Sequence, residues 1–77
     1  MATYTFNDFR KVLRKLGFEY LRSAKHDIWR RVLGNKTILR VTISHKAGRD
    51  IPKWLFYEML RQAGIDEALF RKLLAGR

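Results

Sequence analysis

The stretch TILRVTIS, from Thr37 to Ser44, has the clearest strand pattern in the chain. Its apolar residues Leu39, Val41 and Ile43 alternate with polar residues, and side chains two positions apart in a strand share one face. We therefore predict a strand here with one buried face and one face toward solvent.

The residues before this strand predict two more strands and two turns. Phe18 to Arg22 and His26 to Val32 are rich in aromatic and β-branched residues, and the short segment Ser23–Lys25 between them predicts a hairpin. Leu33 to Lys36 predicts the second turn. The strand from His26 to Val32 carries apolar groups on both faces, so its buried face stays open.

A first helix is predicted from Phe6 to Leu16, because its apolar residues recur every three or four positions. Thr5 or Asn7 can cap its start. Gly17 can adopt the left-handed conformation that commonly ends a helix.

Two more helices are predicted near the end of the chain. Pro52 suits the first turn of the second helix, Asp50 could cap it, and Gly64 ends it. Asp66 caps a short third helix. The apolar stripe of the second helix is Phe56, Met59, Leu60 and Ala63, and that of the third is Leu69, Phe70, Leu73 and Leu74.

These elements predict an α+β fold: a helix, a three-stranded antiparallel sheet, a helix and a short C-terminal helix, with the helices on one face of the sheet. The chain has no linker or repeat, so we predict a single domain over residues 1–77. The element order matches the double-stranded-RNA-binding architecture, which reads the shape, phosphates and 2′-hydroxyls of A-form RNA. Trp29 and Trp54 are predicted to be packing residues.

Positive charge is the strongest global feature. The chain has 17 Lys and Arg residues against seven acids, a formal net charge of +10. We predict a polyanionic partner, with nucleic acid ahead of an acidic protein. A basic surface that only faces solvent is the alternative.

Cysteine is absent, which excludes disulfides and thiolate chemistry and suits a reducing compartment. No run approaches the ~20 apolar residues of a membrane span, and the first residues contain no apolar signal core. We therefore predict a cytoplasmic protein that has no membrane partner.

The basic residues fall into three groups that we predict to contact RNA phosphates. In the first helix, like charges lie four positions apart with no acid between them to relieve their repulsion. A second group lies on the predicted strands, and a third precedes the second helix. The groups are Arg10, Lys11, Arg14 and Lys15; Arg22, Lys25, Arg30, Arg31 and Arg40; and Lys46, Arg49 and Lys53.

His26 and His45 are the only histidines, too few for the three or four ligands of a zinc site, and no cofactor motif is present. We predict no metal and no cofactor. An imidazole among cations suits RNA cleavage, in which a base takes the 2′-hydroxyl proton and cations stabilise the developing charge. His26, with Lys25, Arg22 and Arg30 nearby in sequence, is the catalytic candidate. A surface histidine without a chemical role is the alternative.

Three segments carry a resemblance to a known family: KLGFEY (Lys15 to Tyr20), AKHDIW (Ala24 to Trp29) and VTISHKAGRDIPKWLFYEMLRQAGI (Val41 to Ile65). They resemble the HicA family, also called YcfA-like, of small bacterial mRNA-interferase toxins with a double-stranded-RNA-binding-like fold. The resemblance implies that His26 is the catalytic histidine and that the substrate is mRNA. It also implies a HicB-type antitoxin that binds the toxin and blocks its active face.

The chain departs from the family pattern around this histidine. Ala24 and Lys25 replace Gly and Ser, Asp27 replaces a second histidine, and Trp54-Leu55 replaces Gly-Thr. The departures keep two alternatives open. One is a module that binds structured RNA without cutting it, and the other is a protein-binding role in which the basic face docks an acidic partner.

Overall fold

The structure is a computed structural model that describes residues 3–22, 26–43 and 49–76. Its elements are, in order, α1 (Phe6–Leu16), β1 (Glu19–Arg22), β2 (Asp27–Val32), β3 (Ile38–Ile43), α2 (Lys53–Ala63) and α3 (Glu67–Ala75). The predicted α+β order and the bounds of the first helix are confirmed. The turn predicted at residues 23–25 lies outside the described residues.

A reciprocal capping box fixes the start of α1. The Thr5 hydroxyl accepts a hydrogen bond from the Asp8 backbone N–H (3.1 Å), and the Asp8 carboxylate accepts one from the Thr5 N–H (3.0 Å). Thr5 is therefore the cap, while the Asn7 side chain accepts a bond from Arg10. At the other end, Gly17 has a φ of 91°, so it ends the helix in the predicted left-handed conformation.

Thr5→Ala should lower the free energy of unfolding by about 1 kcal/mol, because the Asp8 N–H loses its acceptor at the helix start. The midpoint of urea denaturation should fall without a change in slope. Thr37→Ala, at an exposed position before β3, is the matched control and should change stability by less than about 0.5 kcal/mol. Equal losses in the two variants would contradict the capping role.

The register of the sheet settles which face of β2 is buried. The strands are ordered β1-β2-β3 and are antiparallel, with Trp29 opposite Val41 on one side and Tyr20 on the other. Because Val41 is fully buried, its cross-strand partner Trp29 lies on the same face and is only 3% exposed. Trp29 is thus a packing residue, as predicted.

All three helices contribute to one core on this face of the sheet. The ring of Phe70 from α3 lies 5.1 Å from that of Phe9 in α1 and 5.0 Å from that of Phe56 in α2. The predicted location of the helices on one face of the sheet is confirmed. The buried apolar residues are Phe6, Phe9, Val12, Leu13, Phe18, Trp29, Val41, Ile43, Ile51, Phe56, Met59, Leu60, Ala63 and Phe70.

The other face of the sheet, which we call the open face, points away from the helices. Its exposed positions include Val32, Ile38, Arg40 and Thr42. Arg30 lies directly opposite Arg40 in the register, so it also belongs to the open face.

The structure corrects the predicted cap of α2. Asp50 does not cap this helix: Pro52 is the N-cap residue, and Asp50 forms a β-bridge with Thr5. The Ile51 N–H donates to the Tyr4 carbonyl (2.8 Å). The segment before α2 is therefore bound to the chain that leads into α1, which holds Asp50 away from the helix start.

Two predicted apolar positions are also corrected. Leu69 is 38% exposed, whereas Phe70 is fully buried and Leu73 and Leu74 are partly buried. The inward stripe of α3 is centred on Phe70, so Leu69 lies at its edge. Trp54, predicted to pack, is 72% exposed because the inward stripe of α2 begins at Phe56.

Candidate functional site

Several elements meet at one end of the fold, which we call the His26 end. His26 precedes Asp27, the first residue of β2, and Asp27 is paired with Ile43, the last residue of β3. α1 reaches the same place, because Arg10 contacts Asp27. The segment before α2 joins them, since the Phe6 N–H donates to the Arg49 carbonyl (3.1 Å).

The predicted catalytic residue His26 is exposed at this end. It immediately precedes β2, and Asp27, the first residue of that strand, is paired with β3 in the sheet. An RNA strand could reach the imidazole there. The other histidine, His45, lies outside the described residues.

The carboxylate next to His26 is tied to the helix. Both Nε and Nη2 of Arg10 donate to Oδ2 of Asp27 (3.2 and 2.7 Å), and the Tyr20 hydroxyl donates to Oδ1 (3.0 Å). The two charged side chains are only 9% and 15% exposed. Arg10 thus supplies a counter-charge that offsets the repulsion Asp27 would exert on a phosphate near His26.

Because of its ion pair with Asp27, Arg10 does not lie where the sequence analysis expected it. It was predicted to face phosphates, but it is 8% exposed and its guanidinium is engaged with Asp27 and Asn7. The repulsion predicted between Arg10 and Arg14 is relieved by an acid that lies 17 positions further along the chain.

The remaining basic residues of α1 are divided along the helix. Lys11 and Arg14 are exposed. Lys15 lies at the C-terminal end of α1, away from the His26 end, and its ammonium group donates to the carbonyl oxygens of Leu73 and Gly76, the latter at 2.6 Å. Lys15 therefore caps the last turn of α3.

The described side chains of the predicted second basic group are divided between the two faces of the sheet. Arg30 and Arg40 are opposite each other on the open face, and Arg30 is paired with Glu19 (2.8 Å). Arg31 is paired with Leu39 on the face toward the helices. Arg22 is backbone-paired with Asp27, which brings its strand position to the His26 end.

The third group lies partly at the His26 end. Arg49 and Lys53 are exposed on either side of the Asp50 bridge to the start of α1. Lys25 and Lys46 lie outside the described residues. Among the described residues, the cations placed at this end are the exposed Arg49, the buried Arg10 and, by its backbone pairing with Asp27, Arg22.

A cavity of about 390 Å³, which we call the Trp29 cavity, adjoins the His26 end. The ring of Tyr20 lies 5.3 Å from that of Trp29, and the guanidinium carbon of Arg14 lies 5.5 Å from the Trp29 ring centroid. Sequence reasoning did not single out Tyr20. The hairpin register could have indicated it, since it places Tyr20 directly opposite Trp29. The lining residues are Arg10, Arg14, Phe18, Tyr20, Asp27 and Trp29.

A second cavity, of about 410 Å³, lies between the chain before α1 and helices α2 and α3. The hydroxyl of Tyr57 donates to Oε1 of Glu67 (3.0 Å), and this hydrogen bond raises the pKa of Tyr57 above its ordinary value. Lys53 and Arg71 also line this cavity.

Within the described ranges, no three His, Asp or Glu side chains form a group that could hold a metal ion. None of the helices described here has the length and hydropathy to cross a bilayer.

The fold and this end of it define a small basic α+β protein with the element order of the double-stranded-RNA-binding architecture. The chain belongs to the HicA toxins of bacterial toxin–antitoxin systems: the model described as "HicA toxin of bacterial toxin-antitoxin" matches residues 6–65. Membership makes it the toxin of such a pair, with an antitoxin as partner. Searches of curated proteins and of solved structures found no match.

Proposed function

We propose that this toxin is an endoribonuclease that cleaves mRNA without a metal ion, using His26 in acid–base chemistry. The observation that carries the proposal is that two adjacent residues lie in different environments. His26 is exposed, whereas the carboxylate of Asp27 is held by Arg10 and Tyr20. The imidazole therefore faces solvent with its nearest acid in sequence already paired.

The chemistry needs little more than a placed base and positive charge. The imidazole removes the proton of a 2′-hydroxyl, and the 2′-oxygen attacks the adjacent phosphorus. The bond from phosphorus to the 5′-oxygen breaks, and that oxygen takes a proton from water. The products are a 2′,3′-cyclic phosphate and a 5′-hydroxyl end.

Cations around the imidazole stabilise the charge that develops on the phosphate. Arg49 is exposed at the His26 end, Lys53 is exposed just after the Asp50 bridge, and Lys11 is exposed on α1. Arg22, Lys25 and Lys46 are proposed to complete this surface from their positions in the sequence. Arg14 and Arg31 are proposed to extend it on the face toward the helices, and Arg30 and Arg40 are proposed to contact RNA separately, on the open face. Arg10 and Lys15 act within the fold, through the contacts described above.

The antitoxin is proposed to be of the HicB type and to cover the His26 end. A basic toxin surface that attracts RNA also attracts an acidic protein surface. Bound antitoxin would exclude the RNA strand from His26 and so neutralise the toxin.

Purified toxin should cleave single-stranded RNA in the presence of excess EDTA and leave 2′,3′-cyclic phosphate ends. The 3′ ends should resist extension by poly(A) polymerase until the cyclic phosphate has been opened and the resulting phosphate removed, whereas the 5′-hydroxyl ends should accept a labelled phosphate directly. An RNA of the same sequence with 2′-O-methyl groups throughout is the matched control and should remain intact, because it has no 2′-hydroxyl to attack.

Cleavage that requires a divalent cation, or that leaves a 5′-phosphate, would contradict the proposed mechanism. RNA that is bound in a strongly salt-dependent manner yet stays intact would instead identify a non-catalytic RNA-binding module. Antitoxin binding without RNA affinity would identify a purely protein-binding role.

A further inference from the structure

The wall of the Trp29 cavity includes the residue that follows the proposed catalytic histidine. Asp27 lines the cavity, and His26 is its chain neighbour. A ligand in the cavity would therefore lie next to the residue that follows His26. Its volume, about 390 Å³, falls in the range of about 300–1,000 Å³ that is common for small-molecule sites.

The walls of the cavity combine aromatic rings with polar groups. Phe18 and Trp29 are buried and form an apolar floor, while Tyr20 is 47% exposed at the rim. Aromatic side chains are the platforms on which single-stranded nucleic acids stack their bases. A planar base is thus a suitable occupant.

The charged groups favour a base that carries a phosphate. Two arginines and one aspartate line the cavity, so its walls have a net charge of +1. Arg14 is exposed, and its guanidinium lies over the Trp29 ring, where it can contact a phosphate at the cavity mouth. A purely apolar ligand would remove the exposed Arg14 from water without compensation.

We propose that the Trp29 cavity is a base-binding subsite that holds one nucleotide of the RNA next to the nucleotide whose 2′-hydroxyl is deprotonated by His26. The base stacks on the exposed ring of Tyr20, above the floor that Trp29 forms, and Arg14 contacts its phosphate. The choice of RNA as the ligand rests on the proposed function, but the test of the subsite does not depend on RNA cleavage.

The test uses an RNA trinucleotide with 2′-O-methyl groups at every position, which cannot be cleaved by 2′-oxygen attack. A Trp54→Phe background removes the exposed tryptophan and leaves Trp29 as the single reporter. Titration should change the Trp29 fluorescence, and Tyr20→Ala should weaken binding by about tenfold, in line with the loss of one stacking partner.

The chain offers a closely matched control for Tyr20. Tyr57 is 45% exposed, and its hydroxyl donates to a carboxylate at 3.0 Å, as that of Tyr20 does, but it lines the other cavity. Tyr57→Ala should leave trinucleotide binding unchanged. Tyr20→Phe keeps the ring without the bond to Asp27, so it should bind within about twofold of the parent if stacking is the cause. A larger loss in Tyr57→Ala than in Tyr20→Ala would overturn the assignment.

Abasic trinucleotides separate base binding from phosphate binding. One of the three single-abasic probes should bind about tenfold more weakly than the full trinucleotide, and Tyr20→Ala should cause no further loss with that probe. Equal affinity for every abasic probe would overturn the subsite.

Failure of this proposal and failure of the proposed function can be told apart. Unchanged trinucleotide binding in Tyr20→Ala, in a protein that cleaves RNA, removes the subsite alone. A Trp29 response and a Tyr20 effect in a protein that leaves RNA intact support the subsite and remove the nuclease.

Discussion

His26→Ala should abolish detectable RNA cleavage and leave the fold and RNA binding unchanged. Loss of a positioned general acid or base lowers the rate by about 10²–10⁴-fold. The side chain is exposed, so its removal leaves no cavity and should change stability by less than about 0.5 kcal/mol. The measurement is the initial rate of cleavage of a labelled RNA by the variant and by wild-type toxin at equal concentration.

His45→Ala is the matched control, because His45 is the only other histidine in the chain. It should keep most of the cleavage activity. The same pair can be tested in cells, where expression of wild-type toxin or His45→Ala should arrest growth and expression of His26→Ala should not. Cleavage by His26→Ala at the wild-type rate would remove the imidazole from the mechanism, and so would equal losses in both variants.

The local elements of this fold could be predicted from the sequence because each depends on neighbouring residues. The alternation in Ile38–Ile43 indicates its buried face directly, and the left-handed Gly17 and Gly64 mark the ends of two helices. The buried face of β2 could not be assigned in this way, because apolar side chains point to both faces. It is fixed by the register that pairs Trp29 with Val41, a relation between two strands.

The candidate site was only partly predictable for the same reason. The net positive charge follows from composition, and the strand and turn signals place His26 at the end of a strand. The partner of Arg10 lies 17 positions away, and one partner of Lys15 lies 58 positions away. No periodic pattern in the sequence indicates such distant contacts. All four basic residues of α1 were therefore predicted to face RNA, although Arg10 and Lys15 are engaged within the fold. The family resemblance located the histidine but not the role of Asp27, since the family has another residue there.

The Arg10–Asp27 pair should be the most sensitive polar contact of the fold. Asp27→Ala should lower the free energy of unfolding by about 3–5 kcal/mol, because it leaves the guanidinium of Arg10 buried without its carboxylate. A chain of this length has a total stability of about 4–12 kcal/mol, so the loss would leave the toxin close to unfolding at room temperature. Urea denaturation followed by circular dichroism measures it.

An exposed ion pair in the same protein provides the comparison. Arg30 and Glu19 approach as closely, at 2.8 Å against 2.7 Å, but their side chains are 38% and 63% exposed, against 9% and 15% for Arg10 and Asp27. Glu19→Ala should therefore cost less than about 1 kcal/mol, since an exposed charge that loses its partner is still solvated. Similar losses in the two variants would show that the Arg10–Asp27 pair is solvated in solution.

Replacing both members of the pair tests the cause of the loss. If burial of an unpaired charge is what destabilises Asp27→Ala, the double variant Arg10→Met/Asp27→Leu should recover most of the stability, because it removes both charges and refills the space with apolar groups. The recovered protein should still carry an exposed His26. A double variant as unstable as Asp27→Ala would mean that β2 depends on the hydrogen bond from Tyr20 to Asp27 rather than on charge compensation.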